Sequence, residues 1–310
     1  MPTPTPVPDR TALAGTALAV SASASVQLGA AIAATLFPLV GTVGTVSLRF
    51  GAAAVVLLAL TRPWRVRWTA RDLRTVLAFG VVFVTMNLCL YVAISRLPLA
   101  TAVTLEFLGP LGVAIATAST WAQRGWAAPA AVGVALIGGS LRADDLLAVV
   151  AALGAALAWA SYILLSRRLG TSDHALAGLA LATTLGAVVT VPAAVVLVGH
   201  DLLAPRVLLL GLVVGLLSSA LPYSLDLLAL RRLSTAVFGV LTSLNPAWAA
   251  LAGLVVLAEL PPHRQLAGIV LVMLASAGVT LTGRRRGGSE QGPRAAGDAV
   301  PAAGSLEARR

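Results

Sequence analysis

Three charged side chains, Arg49, Glu106 and Asp226, stand inside stretches that are otherwise apolar, and Glu259 lies near the end of a fourth such stretch. An ionised group in hydrocarbon is costly, so such residues face a polar interior or a partner. A guanidinium can hold a carboxylate through two parallel hydrogen bonds. A carboxylate can hold an ammonium, and one kept out of water can also pass a proton to and from a solute. Both kinds of group together suit a small zwitterion. Neutral hydrogen-bonding groups accompany them in the same stretches: Gln27, Asn87, Tyr91, Trp159, Tyr162, Tyr223, Thr242 and Asn245. Each has a plainer alternative. Arg49 and Glu106 can staple two helices, Asp226 can be a solvated interfacial acid five residues before Arg231, and Trp159 and Tyr162 can be interfacial anchors.

Other chemistries are excluded. The chain has no lysine, so it has neither a phosphate-binding Walker A loop nor a Schiff-base amine. His174, His200 and His263 are far apart and show no zinc spacing. Cys89 is the single cysteine, so no internal disulfide forms. Neither H-E-x-x-H nor G-x-S-x-G occurs. No catalytic residues, no metal site and no cofactor are expected, and an intramembrane enzyme is disfavoured.

The elements that must position these residues are apolar runs of bilayer length. Apolar residues make up 58% of the 310 and charged residues 11%, with mean hydropathy +0.91. A water-soluble domain carries roughly twice that share of charge. Ten runs are predicted as membrane helices: 12–34, 41–60, 75–95, 99–119, 125–141, 145–165, 174–197, 206–229, 235–257 and 264–282. The first follows Arg10 and contains Ala22-Ser23-Ala24, a signal-peptide-like pattern, but its length favours a retained helix. Arg49 and Glu106 lie about eight and seven residues into helices entering from the same face, at similar depth, so an ion pair between them is geometrically possible.

The stretch Leu88–Pro110 recurs as Ser224–Pro246. Slid by 136 positions, Ala93 falls on Ala229, Arg96 on Arg232, Leu97 on Leu233, Ala100 on Ala236, Leu105 on Leu241 and Pro110 on Pro246. The expected fold is therefore an all-α polytopic membrane protein of two five-helix repeats, 12–142 and 143–283, flanked by a disordered N-terminus (1–11) and a basic, disordered tail (284–310). An odd number of helices per repeat makes the second copy inverted, with the pseudo-two-fold axis in the membrane plane. The net charge of +10 comes from arginines that cluster in alternate loops, as topology signals do, so it speaks for no nucleic acid. The bias places both termini in the cytoplasm.

Two repeats with sparse polar groups between them form the plan of a secondary transporter. The expected partners are a small-molecule substrate, protons and the lipid bilayer; the sequence leaves the oligomeric state open. Expected substrate-binding residues are Gln27, Arg49, Asn87, Tyr91, Glu106, Trp159, Tyr162, Tyr223, Thr242 and Asn245, and expected proton-coupling residues are Glu106 and Asp226. A central cavity lined by helices 1, 3, 4, 6, 8 and 9 is expected, because those spans hold most of the intramembrane polar groups.

The segments 29–50, 97–114, 159–164 (WASYIL), 221–253 and 258–268 (AELPPHRQLAG) resemble the EamA-type branch of the drug/metabolite transporters, and within it the threonine/homoserine exporters. The resemblance implies ten helices, an inverted repeat and efflux of small metabolites, most simply neutral amino acids, from the inner membrane with proton coupling. Another metabolite or a drug is the alternative cargo, and a structural or signalling role the alternative outside transport. One departure stands out. Such exporters often carry an acid just before the second proline, where this chain has Asn245.

Overall fold

A computed structural model describes residues 10–139, 141, 145–169 and 173–287. The side chains of Arg10, Tyr223, Leu227, Thr235, Ala236 and residues 166–169, 173–175 and 284–287 also lie outside the described set. The two expected tails, except at their inner edges, the repeat boundary at 142/143 and the placement of the Tyr223 side chain therefore fall outside the described residues.

Every element among the described residues is helical: α1 (Arg10–Ala34), α2 (Phe37–Thr61), α3 (Ala70–Ile94), α4 (Leu99–Glu106), α5 (Leu108–Ala116), α6 (Trp121–Arg124), α7 (Ala127–Gly138), α8 (Leu146–Leu169), α9 (Asp173–Val198), α10 (Pro205–Gly215), α11 (Leu221–Leu230), α12 (Thr235–Thr242), α13 (Asn245–Leu257) and α14 (His263–Gly287). Short 3-10 turns cover Pro63–Arg65 and Gly199–Leu203. Nine helical stretches among the described residues are long and apolar enough to cross a bilayer. The expected fifth helix, 125–141, is shorter. It is α7, twelve residues or about 18 Å, preceded by the single turn α6. Pro129 has no N–H to offer the Gly125 carbonyl, so the chain turns at Gly125–Trp126 before the helix settles.

Helix ends follow local chemistry. Thr69 and Asp72 form a capping box at the start of α3: the Asp72 N–H donates to Thr69 Oγ1 (3.2 Å) and the Thr69 N–H to Asp72 Oδ2 (3.0 Å). The fourth and ninth spans, each expected as one helix, break in the middle. Phe107 (φ −66°, ψ −11°) separates α4 from α5, and Ser243 (φ −65°, ψ −12°) with Leu244 separates α12 from α13. The cause is the same in both. Pro110 and Pro246 cannot donate to the carbonyls four residues back, those of Glu106 and Thr242.

The spans pack in a definite pattern. The main partners are α2 with α9, α3 with α8, α7 with α14, and α1 with both α11 and α13. Close approach is made possible by small residues. A Cβ on Gly109 would run into the Ala156 carbonyl oxygen, so α5 meets α8 backbone to backbone. The main apolar core holds Phe50, Phe83, Tyr91, Leu36 and Leu99, each fully buried.

Candidate functional site

The eighth span shows how this sequence builds a polar centre in an apolar protein. Between α10 and α11, residues Leu216–Ala220 form a π turn, closed by the Leu221 N–H donating to the Leu216 carbonyl. That bond takes the donor that the Leu217 carbonyl would use in an α-helix. Pro222 has no N–H for the Ser218 carbonyl. Two consecutive carbonyls are thus set free, and side chains from other spans occupy both. Ser25 Oγ on α1 donates to the Leu217 oxygen (2.7 Å). Arg49 Nη2 on α2 donates to the Ser218 oxygen (3.1 Å).

Arg49 is the hub. It is 5% exposed. Its Nη1 donates to Tyr91 Oη (3.2 Å), and its Cζ lies 5.6 Å from the centre of the Tyr91 ring. Its Nε is buried with no acceptor. Tyr91 is held in turn by the edge of Phe37, with ring centroids 5.7 Å apart. One turn back on α3, Asn87 is buried and donates to the Phe83 carbonyl (2.8 Å).

Arg49 and Glu106 do not form the ion pair that their shared depth allows; the guanidinium is engaged by neutral acceptors instead. Similar depth says nothing about direction around a helix, and the Arg49 side chain runs toward α3 and the π turn. Glu106 ends α4 and is buried, 5% exposed, within reach of the Arg49 charge. A buried cation without a touching counter-charge is expensive, and a bound anion would relieve it.

Four further buried polar atoms lack a protein partner: Gln27 Oε1, Ser218 Oγ, Ser219 Oγ and Asn245 Oδ1. All sit on spans 1, 8 and 9. Span 1 joins them, since α1 packs on the π turn, on α11 and on α13. Buried polar groups in proteins are nearly always satisfied, so five unsatisfied atoms, counting Arg49 Nε, set these spans apart from the rest of the core.

Other expected residues lie elsewhere or are occupied. Tyr162 belongs to an aromatic cluster, 4.8 Å from Phe79 and 6.0 Å from Phe83 by ring centroids. Trp159 stands edge-on to Phe107 at the break in the fourth span (5.7 Å). Thr242 Oγ1 donates to its own helix at Gly239 (3.0 Å). Asp226 is half-buried on α11. One cavity of about 380 Å³ opens between Leu39–Val43 and Leu197, Val198 and Asp201, and one of about 400 Å³ between α5 and α7. Asn87 and Glu106 are both buried.

Sequence reasoning missed Ser218. The signal was present in Pro222, which frees the carbonyl of the residue four before it.

The comparisons with known proteins agree with this architecture. The EamA-like transporter family matches residues 146–281. The threonine/homoserine exporter RhtA of Salmonella typhimurium (strain LT2) is 39% identical over 267 residues, covering 85% of this chain and 90% of the relative. RhtA of Escherichia coli (strain K12) gives the same identity and coverage. A solved crystal structure superposes with a TM-score of 0.55 at 22% identity, covering 89% of this chain and 98% of that one, and so shares the fold. On the identity to these exporters across most of both chains, this protein belongs to the EamA-like transporter family.

Proposed function

We propose that the protein exports small neutral amino acids, threonine and homoserine among them, across the inner membrane. The observation that carries this reading is the buried Arg49 guanidinium, bonded to neutral acceptors with Nε unpartnered. It has the charge and the free donor to take a substrate carboxylate. Glu106 supplies the opposite charge for an ammonium. The unpartnered Gln27, Ser218, Ser219 and Asn245 atoms offer neutral bonds to the rest of a small polar molecule. Relatives named as threonine/homoserine exporters support the same cargo.

The mechanism proposed is alternating access by two inverted halves, coupled to protons through Glu106 and Asp226, with both termini cytoplasmic. Three features support the symmetry. The mid-span breaks at Phe107 and Ser243 are 136 positions apart and share their dihedral angles. Phe50 of α2 packs over Gly186 of α9, and Gly133 of α7 crosses Gly268 of α14. These pairs are 136 and 135 positions apart. Contacts between a position and its own equivalent are what a two-fold axis produces.

The experiment is efflux of preloaded labelled threonine and homoserine from reconstituted vesicles, with and without an imposed pH gradient. Flux of either, stimulated by the gradient, is the expected result. Absence of flux in a folded preparation would reject the cargo assignment.

A further inference from the structure

The fourth and ninth spans touch on one side of their breaks only. α4 packs along α13, whereas their continuations α5 and α12 make no comparable contact: α5 lies on α8 and α14, and α12 on α14 and α1. The passage between the halves is thus closed at the face where α4 begins and α13 ends.

The closed face has a specific fastening. Helix α4 starts after Pro98, which has no side chain able to cap it. The Leu99 N–H instead donates to Glu259 Oε2 (2.7 Å), a carboxylate from the other half of the molecule, 160 positions away. A second bond lies two residues further on, where Thr101 Oγ1 donates to Gln265 Oε1 (2.8 Å), both residues buried. Glu259 is placed by the end of α13. Ala258 adopts a left-handed conformation (φ 54°) and the Glu259 N–H returns to the Gly253 carbonyl (3.1 Å). The loop therefore turns back and points the carboxylate at the start of α4.

The other repeat is built differently at the equivalent place. The position 136 beyond Pro98 is Ser234, whose Oγ caps its own helix by accepting from the Val237 N–H (3.4 Å). The position 136 before Glu259 is Gln123, which caps its own helix at Thr120. One helix start is self-sufficient. The other is completed only when the two halves meet.

We propose that Glu259 is the latch of this face: its carboxylate serves as a detachable cap for α4, and its release accompanies opening of the passage on that side. Because the cap is a hydrogen-bond acceptor, an amide oxygen can replace it. This rests on the transport reading for its purpose, but its test reads conformation and not flux. In a Cys89→Ser background, Ala249→Cys places a thiol at a buried site on α13, one turn before Gly253. A membrane-impermeant maleimide is then added from each side of the membrane in turn. Labelling from the α4/α13 face is expected to rise at least several-fold with Glu259→Ala and to stay at the starting level with Glu259→Gln. Glu259→Asp, which keeps the carboxylate but withdraws it by one methylene from the Leu99 N–H, is expected to raise labelling as well. It also tests the latch independently if Glu259→Ala does not fold. Equal labelling in Glu259→Ala, Glu259→Gln and Glu259→Asp, or a rise on the opposite face, would overturn the proposal.

Discussion

Arg49 is held by bonds that a substrate carboxylate can supplement without breaking, because Nε is free. Lysine in its place keeps the charge but offers a point donor instead of a planar fork. Arg49→Lys is expected to weaken threonine binding roughly 10- to 100-fold, the loss of one charge-assisted pair, while the protein is still made and purified; binding by scintillation proximity checks this. Glu106→Gln is expected to reduce gradient-driven flux far more than protein level. Equal loss of both would make Glu106 a structural acid. Glu259 lies outside the spans and has a sign of its own. Burial raises its carboxyl pKa and the Leu99 N–H partly opposes this. The folded chain then takes up the proton before the unfolded one does. Its contribution to stability is complete below the ordinary glutamate value and is lost as pH rises through the raised value. Melting temperature in detergent should therefore show a component that falls with rising pH in the wild type and is absent in Glu259→Gln.

Pro110, Pro222 and Pro246 act by removing one donor each, and the outcomes differ: two sharp breaks and one π turn. The ten apolar runs were legible in the sequence because bilayer length and low charge leave few alternatives, and the two breaks fall next to prolines in the recurrent stretch. The π turn was not legible. A freed carbonyl can be met by water, by a kink or by a side chain, and here it is met by Arg49 from a position 169 residues away. The same holds for the polar centre. Depth placed Arg49 and Glu106 at one level, but only the packing of α2 on α3 and the π turn fixed which neighbour Arg49 takes. The helix face of Tyr162 could not be read from the sequence, and its ring packs into the Phe79–Phe83 cluster. Pro222→Ala tests the element directly. It returns an N–H to the Ser218 carbonyl, which competes with Arg49. Substrate affinity is expected to fall about tenfold, one neutral-to-charged hydrogen bond, with unchanged or higher thermal stability. Wild-type affinity in this variant would show that the π turn does not serve the site.

At the scale of the whole molecule, the two halves proposed above have matching contacts where spans cross and unlike ends where α4 meets α13. The crossing pairs Phe50–Gly186 and Gly133–Gly268 keep the two halves in register. The starts of α4 and α12 do not match, one capped from across the molecule and the other by its own serine. Such an imbalance gives one face a preferred resting state, which two identical faces would lack. The proposed cargo is a zwitterionic amino acid whose carboxylate meets Arg49. Its most direct test is efflux of labelled threonine from vesicles in the presence of unlabelled competitors. Threonine and homoserine should compete, whereas threonine amide, which lacks the carboxylate, should not. Competition by the amide as strong as by threonine itself would show that Arg49 does not bind the carboxylate.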